Sequence, residues 1–335
     1  MKKPLVIATA AMAVTPITDA HAGYRAGDLI RLADLRVNQA VAAPGQSVAV
    51  ELSLVNESSR KLEGVKWSVV VGKVRKSGEL TLTKGQEKTV KVTLTAPSQT
   101  TALHATVAPP EGNAEPSYAR SDNRIDAKLV VASQLDRNTL RRIAAAVDAV
   151  ERELDAEGRY LRVKKATIKG STATLDEIAS ARPSKVPSLS KRIAATLAKQ
   201  GNKEDSQAYG RAAEQAWERW VEGYKGVLEN AFPEFAAYPG KVTPETEARP
   251  VVVGGSASAF SAALVEKDAR DHGVDPKLAE VYGQALQARF EVFTLTARWV
   301  GLKAKGTVPT FAPPYVPVGP VFGGDNIAVP GHLVR

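Results

Sequence analysis

The residues closest to a catalytic spacing lie in Val251-Val-Val-Gly-Gly-Ser-Ala-Ser258. A nucleophile elbow needs Gly-x-Ser-x-Gly, because the backbone must turn sharply on both sides of the serine. Gly254 and Ser256 supply the first half, but Ser258 stands where the second glycine belongs. Asp271-His272 is the nearest acid and base, and no oxyanion loop accompanies it. Ser256 or Ser258 reads better as a helix N-cap before Phe260 than as a nucleophile. An exported serine hydrolase is therefore the least favoured of three function classes. His104, His272 and His332 are too scattered for a zinc site, and the chain has no cysteine to join them. Glu115, Asp122 and Asp126 could offer oxygens to calcium, but they lack the dense odd-position spacing of a calcium loop. Neither a metal nor a cofactor is expected, and the chain reads as a non-enzyme.

Aromatic side chains give a second kind of chemistry. Trp217, Trp220 and Tyr224 fall three and four residues apart, in register with Tyr209, Ala213, Val227 and Leu228. Residues so spaced share one helix face. Indole faces stack on sugars, which allows an envelope or extracellular glycan-binding protein; the same spacing also builds a packed core.

The helix that would carry the rest of the fold begins near Leu140. Leu140, Ile143, Val147, Val150 and Leu154 alternate by three and four, and a seven-residue step continues through Leu161, Ile168 and Leu175, with Ile178 restoring the second seam position. Glu157, Lys164 and Ser171 make that second position polar in the middle. The repeat predicts a long, coiled-coil-like helix from Asp136 to Ser180, with Gly158 and Gly170 as the places where it could break. Ser133 is placed as its cap, with Asp136 in the first turn. Further helices are predicted from Ser188 to Gly201, Lys203 to Ala231, Ala257 to Asp271 and Pro276 to Leu302. The last of these carries Leu286, Phe290, Phe293, Ala297 and Val300, the best seam to lie against the opening helix. Residues 133–305 are thus expected to form an elongated α-helical bundle.

Before that half the apolar period is two. Ser47 to Val55 and Lys88 to Thr95 alternate sharply, and shorter strands are predicted at Leu32–Val37, Val65–Val71, Glu79–Thr83, Ala102–Val107 and Ile125–Val131. Seven short strands separated by turn residues argue for an immunoglobulin-like β-sandwich over residues 23–132, with Trp67 as a large ring for its core. Ala43-Pro44-Gly45-Gln46 leading into a strand that ends at Asn56 is one recurring pattern; Leu80 to Gln86 leading into Lys88 to Pro97, and Ser121-Asp122-Asn123 before the last strand, are others. Together these resemble the bacterial CARDB domain, a cell-adhesion-related fold of fibronectin or immunoglobulin type, over residues 32–131. The resemblance implies a recognition or spacer module and carries over no catalytic residue.

Residues 1–22 read as a signal peptide: Lys2 and Lys3, an apolar run from Leu5 to Val14, and Ala20-His21-Ala22 as a small-x-small cleavage site. The apolar run is too short to span a bilayer, and no later stretch is apolar enough, so no transmembrane span is expected. The formal charge of +9 becomes +8 on losing Lys2, Lys3 and Asp19. It is spread evenly, without clustered Lys/Arg and interleaved aromatics, which argues against nucleic acid. From Gly306 to Arg335 six prolines alternate with apolar residues, predicting an extended tail that wants a surface; Tyr315, Val318 and Phe322 are its contact candidates. These features favour an exported, periplasmic or surface-located structural or adhesion-type protein. It would act through another protein or through self-association, by the helical seam or the tail. Binding of envelope polysaccharide is the alternative.

Overall fold

The structure is a computed structural model that describes residues 29–113, 115, 123–169, 172–229, 245–247, 257–305, 310–311, 316–317 and 327–335. The signal-peptide segment, Asp122, Ser256, and Tyr315, Val318 and Phe322 of the tail lie outside them.

The alternating segments form a two-layer sandwich. One sheet holds β1 (Ile30–Val37), β3 (Ser47–Asn56) and β6 (Glu87–Thr95) in the order β1-β3-β6. The other runs β2-β8-β7-β4-β5, with β2 at Val41–Ala42, β4 at Leu62–Val71, β5 at Val74–Leu82, β7 at Thr101–Ala108 and β8 at Arg124–Val131. All pairs are antiparallel except β2 with β8. Alternation places Val48, Val50, Leu52 and Leu54 of β3 in the core while their neighbours face outward. Trp67 is only half-buried; it packs over Gly78 on the facing strand, where a Cβ would come within 2.7 Å of the indole.

The expected helical bundle is not there. The second half is mixed α/β, and the long helix ends early. α1 spans Arg137–Gly158, capped by Asp136, whose carboxylate accepts from the Asn138 and Thr139 amides, so Ser133 is not the cap. Residues 161–180 then form an antiparallel hairpin of β9 (Leu161–Lys169) and β10 (Thr172–Ser180). Between Leu154 and Ile178 only one of the two seam positions stays apolar, and that remnant is equally compatible with strands. Val163, Thr167, Thr172 and Thr174 are β-branched and favour the extended chain. Gly158 closes the helix for a packing reason as well: a Cβ there would lie 3.1 Å from the Leu333 Cβ.

Beyond the hairpin, α2 (Leu189–Lys199) and α3 (Ser206–Gly223) are shorter than the predicted helices around them, and β11 (Gly226–Glu229) extends the hairpin sheet. After β12 (Glu245–Glu247), a 3-10 turn at Ala257–Phe260 leads into α4 (Ala262–Asp271). α5 (Pro276–Thr296) begins as expected, with Asp275 as N-cap and Pro276 at its first position. It stops before Arg298, where β13 (Arg298–Lys305) begins. β14 (Thr310–Phe311) pairs with β15 (Val316–Pro317), and β16 (Ile327–Val334) pairs with β13. The end of the predicted tail is therefore a strand of the protein's own sheet. Among the described residues no helix is long and apolar enough to cross a membrane.

The two halves are joined through their cores. α5 lies against α1 and also along β1 and β8, closing one flank of the sandwich. Val292 belongs to the sandwich core, and the void left between Ala285, Ala288 and Val292 and the strand residues Leu35, Val37, Ala127 and Leu129 is only about 10 Å³. Ala40, Val41, Val130 and Ala132 in turn belong to the core of the α/β half. The apolar seam of α1, Leu140 to Leu154, is buried inside the same chain and is not free to pair with a second one.

Candidate functional site

A concave site lies where α1 meets the sandwich. A cleft of about 460 Å³ is bounded on one side by Arg137, Leu140, Arg141, Ala144, Ala145 and Asp148, and on the other by Gln39, Val41 and the turn Gly45–Ser47. The helical residues recur every three or four positions, so one face of α1 forms a wall. The opposite wall exists because Gly45, at φ +72°, turns the chain between β2 and β3. Gln46 holds that turn: its Oε1 accepts from the Ala43 amide at 2.8 Å and its Nε2 donates to Gln39 Oε1.

The charges of the cleft are uneven. Arg137 and Arg141 are exposed and form no ion pair with any described residue, whereas the neighbouring Arg142 pairs with Glu204 at 2.5 Å. The N-cap carboxylate of Asp136 offsets the positive end of the α1 dipole, and the first turn itself contains no acidic residue. At the other end of the cleft, Asp148 Oδ1 lies 3.3 Å from Arg289 Nη2. Burial raises the Asp148 pKa, an effect Arg289 opposes without cancelling.

Behind Asp148 is a buried ionic network that locks three parts of the chain together. Arg289 of α5 donates to the Val37 carbonyl of β1 and sits 3.3 Å from Glu151 Oε2, at ion-pair distance without hydrogen-bond alignment. Arg335, its side chain 2 % exposed, donates to Glu151 and, at 3.0 Å, to Asp34 Oδ1 of β1. Burial works against the charge on Glu151, but Arg289 and Arg335 hold its pKa below the ordinary carboxylate value. Asp155 is less well served: burial pushes it up to about 6, and the nearest guanidinium, Arg335, is 3.8 Å away. A second such group, Glu157, is met by Arg192 at 2.7 Å and Arg182 at 3.2 Å.

The residues singled out for chemistry fall elsewhere. Trp217, Trp220 and Tyr224 are 4, 2 and 4 % exposed and pack with Phe290, Phe293 and Trp299 in the core of the second half, so they present no ring face to a ligand. Ser258 lies in the 3-10 turn before α4 and His272 at that helix's far end. The ten residues of α4 between them span roughly 15 Å, too far for proton transfer. The Asp271 carboxylate turns to Lys267 at 2.6 Å, which depresses its pKa. Glu115 accepts the Leu29 and Ile30 amides at 2.7 and 2.9 Å and the Asn123 side chain, anchoring the start of β1. Asp126 instead meets His104 at 2.6 Å and Arg124 at 2.8 Å on the outer face of the sheet. Among the described residues no three His, Asp or Glu side chains gather as a metal site. The cleft was missed in the sequence because its two walls are about a hundred residues apart; three arginines in the first two turns of a helix were the available signal.

No family model and no curated protein sequence matches the chain. Among solved structures, the CARDB domain of a Pyrococcus furiosus protein is similar over 31 % of this chain and 87 % of that domain, at 18 % identity and a TM-score of 0.27. The sporulation control protein of Bacillus subtilis is similar over 66 % of this chain and 79 % of its own, at 9 % identity and a TM-score of 0.23. A Paenibacillus cycloisomaltooligosaccharide glucanotransferase matches over 52 % of this chain and 26 % of its own, at 14 % identity and a TM-score of 0.28. The sandwich assignment rests on its own strand order, not on these likenesses.

Proposed function

We propose that this chain is an exported, non-enzymatic recognition protein of adhesion type, in which a CARDB-like sandwich is presented to a protein partner on a rigid α/β base. The observation that carries this reading is the shared core: α5 supplies Val292 to the sandwich and Arg289 to the network beneath it. A flexible tether would let the sandwich tumble; a base built into its core fixes the direction in which its loops and edges point, which lowers the entropy lost on docking. Neither the α1 seam nor β16 is available for the assembly, since both are used within the chain. The open flank of the sandwich, with edge strand β5 exposing Val74, Arg75 and Lys76, is the better contact surface.

The test is a light-scattering mass of the chain across a hundredfold concentration range, alone and after reductive methylation of its lysines. Concentration-dependent association that methylation disturbs supports a sandwich-edge contact between copies; a monomer throughout confines the reading to a foreign protein partner. Labelling of Ser256 by a serine-reactive phosphonate, or ester turnover above background, overturns the non-enzymatic reading.

A further inference from the structure

We infer that the cleft between α1 and the sandwich is a binding site for a uronic-acid oligosaccharide. The assignment is independent of the assembly reading above and would hold for a monomer.

Its volume of about 460 Å³ falls in the range of small-ligand pockets, roughly 300–1,000 Å³, and is not the flat surface that a protein partner covers. The two guanidiniums on its α1 wall, Arg137 and Arg141, are one helical turn apart and carry no carboxylate partner among the described residues. The N-cap of α1 is made by Asp136, and neither arginine takes part in it or in an ion pair with a described residue, so local stability does not explain the pair. A planar carboxylate is the group their fork geometry suits best.

The remaining lining narrows the class. Asp148, Gln39, Gln46 and Ser47 combine acceptors with donors, which suits a ligand rich in hydroxyl groups. Asp148 also repels a second anion placed beside it, which disfavours polyphosphates and runs of acidic side chains. Leu140, Ala144 and Ala145 give an apolar strip against which a sugar ring can lie. A carboxylate for the two guanidiniums, hydroxyls for the polar lining and a ring face for the apolar strip describe a uronate unit.

The experiment is calorimetric titration of the full chain with trigalacturonate and trimannuronate, beside maltotriose and short polyglutamate as controls. The expected result is binding of at least one uronate that weakens with added salt, with no comparable binding of either control. Arg137→Gln with Arg141→Gln should weaken it at least about tenfold, the loss of a charge-assisted contact. The thermal midpoint of that variant should be nearly unchanged, since neither side chain forms an ion pair with a described residue. Gln39→Ala should weaken binding by a smaller factor. Binding of neither uronate, equal binding of polyglutamate or maltotriose, or an affinity indifferent to the arginine substitutions would each overturn the assignment.

Discussion

Among single residues, Asp155 is the most exposed to a change of conditions. Its carboxylate is largely buried, Oδ1 lacks a hydrogen bond, and its pKa stands at about 6 against an ordinary 3.8. A carboxyl group whose pKa rises on folding binds its proton more tightly in the native state. Its contribution is then fully present below about pH 4 and is lost as pH climbs through 6. At neutral pH the ionised side chain costs up to about 3 kcal/mol. Asp155→Asn should therefore raise the thermal midpoint at pH 7.5 and leave it nearly unchanged at pH 4. Parallel wild-type and variant curves of midpoint against pH would show that Asp155 is not the titrating group. Glu157 shows why such groups were hard to see in advance. It stood out as a polar interruption of an apolar seam, but its partners, Arg182 and Arg192, lie 25 and 35 residues away and reach it only through the hairpin and α2.

At the scale of elements, the sandwich was legible and much of the second half was not. Alternation located β1 and β3 through β8 because a half-buried strand must place every other side chain inward; only the two-residue β2 left no trace. The Asp275-Pro276 start of α5 was equally clear, as was a helix start at Ser188, which is the N-cap of α2. The hairpin at 161–180 was lost to a coincidence of spacing, β13 to the helical period that Ala297 and Val300 continue past the end of α5, and β16 to the habit of reading proline-rich apolar sequence as tail. Contact between α1 and α5 survived the correction, although the bundle around it did not. Val147 and Phe293, 0 and 2 % exposed, should each unfold the second half when changed to Asp, and unchanged thermal unfolding would refute that role. The crossing of α4 and α5 depends on closer backbone approach. A Cβ at Gly283 would lie 2.5 Å from the Ala262 carbonyl oxygen, which cannot swing aside as a side chain would. Gly283→Ala should cost about 1–3 kcal/mol by pushing the helices apart, measured by denaturant unfolding, despite alanine's better helix propensity.

For the molecule as a whole, the question is whether the sandwich stands alone. Seven predicted strands suggested that it would, but its core includes a side chain from α5, and Arg335 reaches back to Asp34. Val292→Asp places a carboxylate between the sheets and should cost at least about 3 kcal/mol. The informative measurement is amide hydrogen exchange: faster exchange in β1 and β8, not in α5 alone, is the expected result. Exchange confined to α5 would mean that the sandwich is self-sufficient. The cleft, too, exists only at this scale, since neither wall makes a site without the other.

The position of Val292 also sets a timetable. About 160 residues separate the end of β8 from the side chain that closes its flank. At roughly 5–20 residues per second, a ribosome needs about 8–30 s to make them. For that interval a nascent sandwich would show Leu35, Val37, Ala127 and Leu129 to whatever is nearby, long after its own strands could have paired. Such a chain gains from being held unfolded until residue 292 has been made.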